Sequence, residues 1–190
     1  MDNKSFWNEV SKQSILLGVV MGASKMFEQS LLISGGVNYG GWILLEWLLF
    51  AFLFCSILYR ATKRRAALTD STLGYSFGHG VSYMMLISML AAIPVTCIYY
   101  VYVNSLIGYD NYIEGLVNAI ISVVQAQPLD NATSDVIDLL IEQMRSQPQA
   151  SILSVLFNTI FQYAFAGLFV GLCIAGFTKR KPEIFEQGNE

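Results

Sequence analysis

Charge is scarce in this chain. Asp, Glu, Lys and Arg make up 13% of its 190 residues, against the roughly 25% usual in a soluble domain. Hydrophobic residues make up 54%, and the mean hydropathy is +0.50. A soluble fold of this size has too little interior for so much apolar surface, whereas a bilayer accommodates it. Histidine and cysteine are also scarce. His79 stands alone in Phe77-Gly78-His79-Gly80, and Cys55, Cys97 and Cys173 lie in apolar runs without metal-type spacing. These argue against a metal centre, and the cysteines are expected to be free, buried thiols. Ser24, Ser76 and Ser82 lack nucleophile surroundings, and the chain has no Gly-rich phosphate loop. The net charge is −3, with no basic patch of the kind nucleic acid needs. No catalytic activity, cofactor, metal or nucleic-acid partner is expected.

What the chain does have is four apolar segments long enough to cross a bilayer, each near the roughly 20 residues a helix needs. They are 14–33, 41–59, 73–103 and 152–177. The third is long for one crossing, and Pro94 is the place where it is expected to bend. Lys4 and Lys12 before Ile15–Ala23, with Gly22-Ala23-Ser24 after it, imitate a signal peptide. The apolar run resumes at Met26, however, which favours a full span.

Orientation follows from the basic residues. Lys4, Lys12, Arg60, Lys63, Arg64, Arg65, Lys179, Arg180 and Lys181 are nine of the eleven Lys and Arg, and all fall on one side. That side is read as cytoplasmic, with both termini there, in the inner membrane of a bacterium. The tail is 178–190. The opposite side has a short Gly-rich loop, 34–40, and a larger insert, 104–150. The insert carries Asp110, Glu114, Asp130, Asp135, Asp138 and Glu142 against Arg145 alone. Apolar residues at helical spacing predict two helices in it, 112–125 and 131–144, separated by Pro128 and closed by Pro148. The expected fold is all-α, a four-helix transmembrane bundle with an acidic, helical external insert between the third and fourth spans.

Charges inside spans are costly, roughly 2.5–3.5 kcal/mol each at the bilayer centre on insertion scales. Lys25 and Glu28 share one face of the first span, and Glu46 lies in the second. Counting about 1.5 Å per residue from the short loop puts them about 14, 9 and 8 Å deep. Asn158 and Gln162, four apart in the fourth span, fall in the same layer. These five are the candidate site. They form either a polar cavity for a proton, ion or lipid headgroup, or a structural tie in which Lys25 pairs with both glutamates. Gly18 with Gly22, and Gly167 with Gly171, have the small-xxx-small spacing that lets helix backbones approach closely. The two ridges are expected to pack the first span on the fourth, or else to form a homodimer. Tyr39, Trp42, Tyr99, Tyr100 and Tyr102 sit at the level of an interfacial aromatic belt.

The third span opens with Gly74-Tyr75-Ser76-Phe77-Gly78 and leaves the membrane through Ile98-Tyr99-Tyr100-Val101-Tyr102-Val103-Asn104. With the N-terminal hairpin, the basic loop and the acidic insert, this order resembles a family of uncharacterised bacterial membrane proteins, domain of unknown function 4199, common in Bacteroidota. Members often carry a proline just after the position of Asn104, where this chain has Ser105. The resemblance implies no activity. It does suggest a partner, because such genes often sit near a polyprenyl-phosphate-type glycosyltransferase.

The expected function is therefore a non-catalytic membrane subunit or scaffold associated with envelope polyprenyl-linked glycan metabolism. Its partners would be the lipid bilayer, a membrane protein such as that glycosyltransferase, or a second copy. The alternative is a small transporter or channel that uses the charged layer.

Overall fold

A computed structural model describes residues 3–35, 40–70, 72–126 and 131–182. Among them are six α-helices: α1 (Asn3–Gly35), α2 (Gly40–Leu68), α3 (Phe77–Val101), α4 (Tyr109–Ala126), α5 (Asn131–Ser146) and α6 (Ile152–Thr178). A π-helical turn, Tyr102–Ile107, continues α3. Helices α1, α2, α3 with its π-turn, and α6 are each long and apolar enough to span a membrane. The fold is all-α, a multi-pass membrane bundle.

The helices outrun the predicted spans. α1 begins near the N-terminus because Val10 on its first turns is buried in the core. α2 runs on to Leu68 through Arg60, Lys63, Arg64 and Arg65. The basic stretch was expected as a loop, but Arg, Lys and Ala are good helix formers once outside the bilayer. α3 starts only at Phe77, where the Ser76 Oγ accepts from the His79 amide at 3.2 Å. The Ser151 Oγ caps α6 in the same way, accepting from the Ser154 amide at 3.2 Å. Both serines satisfy an amide that the first helical turn leaves without a partner. Tyr39, Pro128 and most of the tail lie outside the described residues.

The core lies between α1, α3 and α6, with Leu58 of α2 packed into it; Leu17, Leu58, Met84 and Ile87 are fully buried. The two glycine ridges meet here, but not each other. A Cβ on Gly18 would lie 2.6 Å from the Ala91 carbonyl oxygen, and one on Gly22 would lie 2.7 Å from Ile98 Cδ1. A Cβ on Gly167 would meet Ser88, and one on Gly171 would come 3.2 Å from Val81 Cα. Both ridges therefore pack on α3 at different heights, Gly18 and Gly22 against Ala91, Pro94 and Ile98, and Gly167 and Gly171 against Val81, Met84 and Ser88. The expected pairing of α1 with α6 is replaced by a central helix approached by two glycine faces. Small residues on α3 itself, Ala91 and Ser88, receive Gly18 and Gly167. Pro94 packs against Gly18.

The outward faces are apolar. On α6, Phe157, Phe161, Phe165 and Phe169 recur every fourth residue and are exposed, as are Trp42, Leu45, Leu48 and Phe52 on α2. Cys97 and Cys173 are free, as expected, but exposed rather than buried; Cys55 is partly buried.

In the insert, α4 seats on the end of α1, where Gly115 lies against Ile33 and Val117 is fully buried. α5 is joined to it by Arg145, whose Nε and Nη2 donate to Glu114 at 2.9 and 3.0 Å. On α5, Val136 and Leu139 are exposed on one face, and Asp135, Asp138 and Glu142 are exposed too.

Candidate functional site

The five polar residues read from the sequence lie towards the insert end of the bundle, and the structure wires them with neighbours that the sequence did not single out. The Lys25 Nζ donates to Glu28 Oε2 at 2.7 Å, one helical turn along α1. The other Glu28 oxygen accepts from the Trp47 indole at 3.1 Å, which ties α1 to α2. Glu46, also on α2, takes a short hydrogen bond from the Ser24 hydroxyl rather than from Lys25. The expected single cation between two carboxylates is thus split into two adjacent ties, Lys25–Glu28–Trp47 and Ser24–Glu46. Glu28 and Glu46 are buried, at 7% and 4% exposure. Lys25 keeps 43% of its side chain exposed, because it faces open space on its other side.

That space consists of two cavities. One, of about 400 Å³, lies between α1, α3 and α6, with Lys25, Gln29, Tyr99, Asn158 and Gln162 on its wall. The other, of about 420 Å³, lies between α1, α2 and α6 and is lined largely by apolar side chains. Lys25 and Gln162 line both. Asn158 and Gln162 are exposed towards these spaces and make no hydrogen bond to the charged pair among the described residues.

A third tie leads to the insert. The Tyr112 hydroxyl on α4 donates to the buried Gln29 Oε1 at 2.8 Å, and the Tyr99 hydroxyl stands 3.4 Å from that of Tyr112. Burial, then the bond with Tyr99, pushes the Tyr112 phenol up, so it remains a donor. The tyrosines expected in an aromatic belt also hold the insert. The Gln149 Nε2 donates to the Tyr100 hydroxyl at 3.3 Å, and Tyr102 is hydrogen-bonded to Ser30.

Ser24, Gln29, Trp47 and Tyr112 were not singled out from the sequence. Depth counting places a residue in a layer but not on a side of its helix. Among the described residues no group of three or more His, Cys, Asp or Glu has the arrangement of a metal site.

Comparison with curated proteins and with solved structures returns no match. Residues 12–180, most of the chain and everything from the middle of α1 through the end of α6, match the family described as "Protein of unknown function (DUF4199)". The chain belongs to the DUF4199 family of membrane proteins.

Proposed function

We propose that the protein is a non-catalytic membrane subunit, a four-helix scaffold of the bacterial inner membrane with both termini cytoplasmic. The observation that carries this reading is the wiring of the charged layer. Glu28 and Glu46 each hold α1 to α2, through Trp47 and Ser24, and Gln29 holds α1 to α4 through Tyr112. Groups joined in this way fix helix positions, as interhelical hydrogen bonds do in membrane bundles. Lys and Arg placement supports the orientation. The insert then stands outside, where α5 offers an apolar edge and an acidic edge to the membrane surface or a partner. A glycosyltransferase of polyprenyl-linked glycan metabolism is the partner proposed.

Purification from gently solubilised membranes, followed by mass spectrometry, tests this. A membrane enzyme recovered in stoichiometric amount, and lost when 131–146 is replaced by a polar linker, is the expected result. A monodisperse protein that co-purifies with nothing contradicts it.

One observation favours a second reading, a small carrier. Lys25 lies on the wall of two cavities at once, and an intramembrane ionisable group beside a cavity is a transport-site candidate. Reaction of a Gln162→Cys variant, in a background with Cys55, Cys97 and Cys173 replaced, with a membrane-impermeant maleimide, blocked by a translocated solute, would favour the carrier over the scaffold.

A further inference from the structure

The opposite end of the bundle holds buried polar atoms that the packing leaves without partners. A cavity of about 280 Å³ opens where the starts of α1 and α3 meet the end of α2, with Phe6, Arg65, Thr69, Tyr75, His79 and Tyr83 on its wall. Among the described residues, Arg65 Nη1 and the hydroxyls of Tyr75 and Tyr83 have no hydrogen-bond partner and almost no solvent contact. Both tyrosines are 4% exposed. A buried donor without an acceptor is destabilising, and such groups are rare in folded proteins. Arg65 Nη1 has the Glu9 carboxylate beside it, which leaves the two tyrosine hydroxyls as donors with no acceptor near at hand among the described residues.

The charges around the cavity suit an anion. Arg65 of α2 is on its wall, and α3 adds His79. Arg64 of α2 and Arg180 of the segment after α6 lie beyond it, Arg64 near Glu9 and Arg180 hydrogen-bonded to the Thr69 carbonyl. Two carboxylates oppose them among the described residues, Asp70, which faces Arg180, and Glu9 of α1. Glu9 lies 3.6 Å from Arg65 Nη1 and 3.7 Å from Arg64 Nε, beyond hydrogen-bonding distance, and neither of its oxygens has a hydrogen-bond partner. The guanidinium of Arg65 sits over the Phe6 ring, 4.7 Å from its centroid, which holds it in place.

The tyrosines are held as well. The Tyr75 amide donates to the Arg180 carbonyl at 2.8 Å, and the Arg180 amide donates back to the Tyr75 carbonyl at 2.9 Å. Gly74 permits this close approach. Its φ is +65°, and a Cβ there would lie 2.8 Å from the Arg180 oxygen. Burial pushes the Tyr75 phenol up to about 12, ahead of the opposing effect of Arg65, so the hydroxyl stays protonated and able to donate.

We propose that this cavity is a binding site for a phosphate group, whose oxygens accept from Arg65 Nη1 and from the Tyr75 and Tyr83 hydroxyls. Arg geometry matches phosphate oxygens, and hydrogen bonds to a charged acceptor are the strong ones. The phosphate arrives on a lipid or as a free anion. The apolar wall formed by Phe6 and Leu86 suits the carbon skeleton of a lipid. The site is independent of the charged layer at the insert end and of the scaffold reading.

The test uses the full-length protein in a neutral detergent. Its thermal stability is followed during titration with short-chain phosphatidylglycerol, with inorganic phosphate, and with a phosphate-free diacylglycerol. The wild type is expected to be stabilised by at least one of the first two. A response to phosphatidylglycerol alone identifies a lipid-borne phosphate, and an equal response to inorganic phosphate identifies a free one. The Tyr75→Phe/Tyr83→Phe variant removes two hydroxyls that touch no protein acceptor, so it should melt no lower than wild type without ligand. Its affinity should fall roughly a hundredfold, and that of Tyr83→Phe alone roughly tenfold. The proposal is overturned if neither phosphate compound stabilises the wild type, or if diacylglycerol stabilises it equally. It is also overturned if the double variant keeps wild-type affinity, or if that variant melts lower without ligand.

Discussion

Helices α2 and α3 are alike in apolar character but differ in what surrounds them. In the most apolar stretch of α3, 44% of residues are buried inside the protein, against 17% in α2. α3 is approached closely by glycines of two neighbours, Gly18 and Gly22 of α1 along residues 91–98 and Gly167 and Gly171 of α6 along residues 81–88. α2 carries its large side chains outward, Trp42, Leu48 and Phe52 among them. Within a bilayer, apolar burial gives little drive for helix association, so close packing and hydrogen bonds must supply it. α3 uses the first and α2 leans on the second. Shape therefore holds the centre of this bundle, while hydrogen bonds from Ser24 to Glu46 and from Trp47 to Glu28 help hold its periphery.

The largest effect should come from spoiling the shape. Gly18→Ala places a methyl against the Ala91 carbonyl, a backbone atom that cannot move aside. It should lower stability by about 1–3 kcal/mol, seen as a lower melting temperature in detergent. Gly176→Ala, where nothing lies within 4 Å of an added Cβ, should be neutral or slightly stabilising. Equal losses at both positions would break the contrast.

Removing a polar tie should cost less. Trp47→Phe keeps an aromatic ring but loses the donor to Glu28, and should cost about 1–2 kcal/mol. Tyr112→Phe removes the bond to Gln29 and should cost about 1 kcal/mol. Because α4 lies outside the predicted spans, hydrogen exchange should quicken in 109–126 while α3 is unchanged. Arg145→Ala should have the smallest effect, since its pairing with Glu114 is exposed on both sides. Faster exchange confined to α5, with no change in melting temperature, is the expected result.

These differences bear on what the sequence could and could not reveal. Four apolar runs mark four membrane helices, because length against bilayer thickness is a one-dimensional property. The helices of the insert are legible in the spacing of Leu116, Ile120 and Val124, and of Val136, Leu140 and Met144. The glycine ridges were legible as close-packing faces, but their partner was not. Small-xxx-small spacing says that something approaches closely, and nothing in Gly18 or Gly167 points to α3 rather than to each other. The charged layer was legible by depth, which brought Lys25, Glu28 and Glu46 to one level. Its wiring depends on azimuth and on neutral partners such as Ser24 and Trp47, whose residue types are common in spans for other reasons. The cavity at the basic end depends on Tyr75 and Tyr83, which in sequence are two more aromatics at an interface.

The scaffold reading rests on the charged layer fastening helices together. The most direct test compares the thermal stability of Lys25→Met with that of the triple variant Lys25→Met/Glu28→Leu/Glu46→Leu, both in detergent. The single change strands the Glu28 carboxylate, while the triple change removes the need for a partner, and such replacements of buried charges by apolar groups are often neutral or stabilising. The single variant should lose about 1–2 kcal/mol, less than a fully buried pair would, because Lys25 is 43% exposed. The triple variant should melt at or above the single one. A triple variant that melts below Lys25→Met, or a Lys25→Met protein as stable as wild type, would contradict the account.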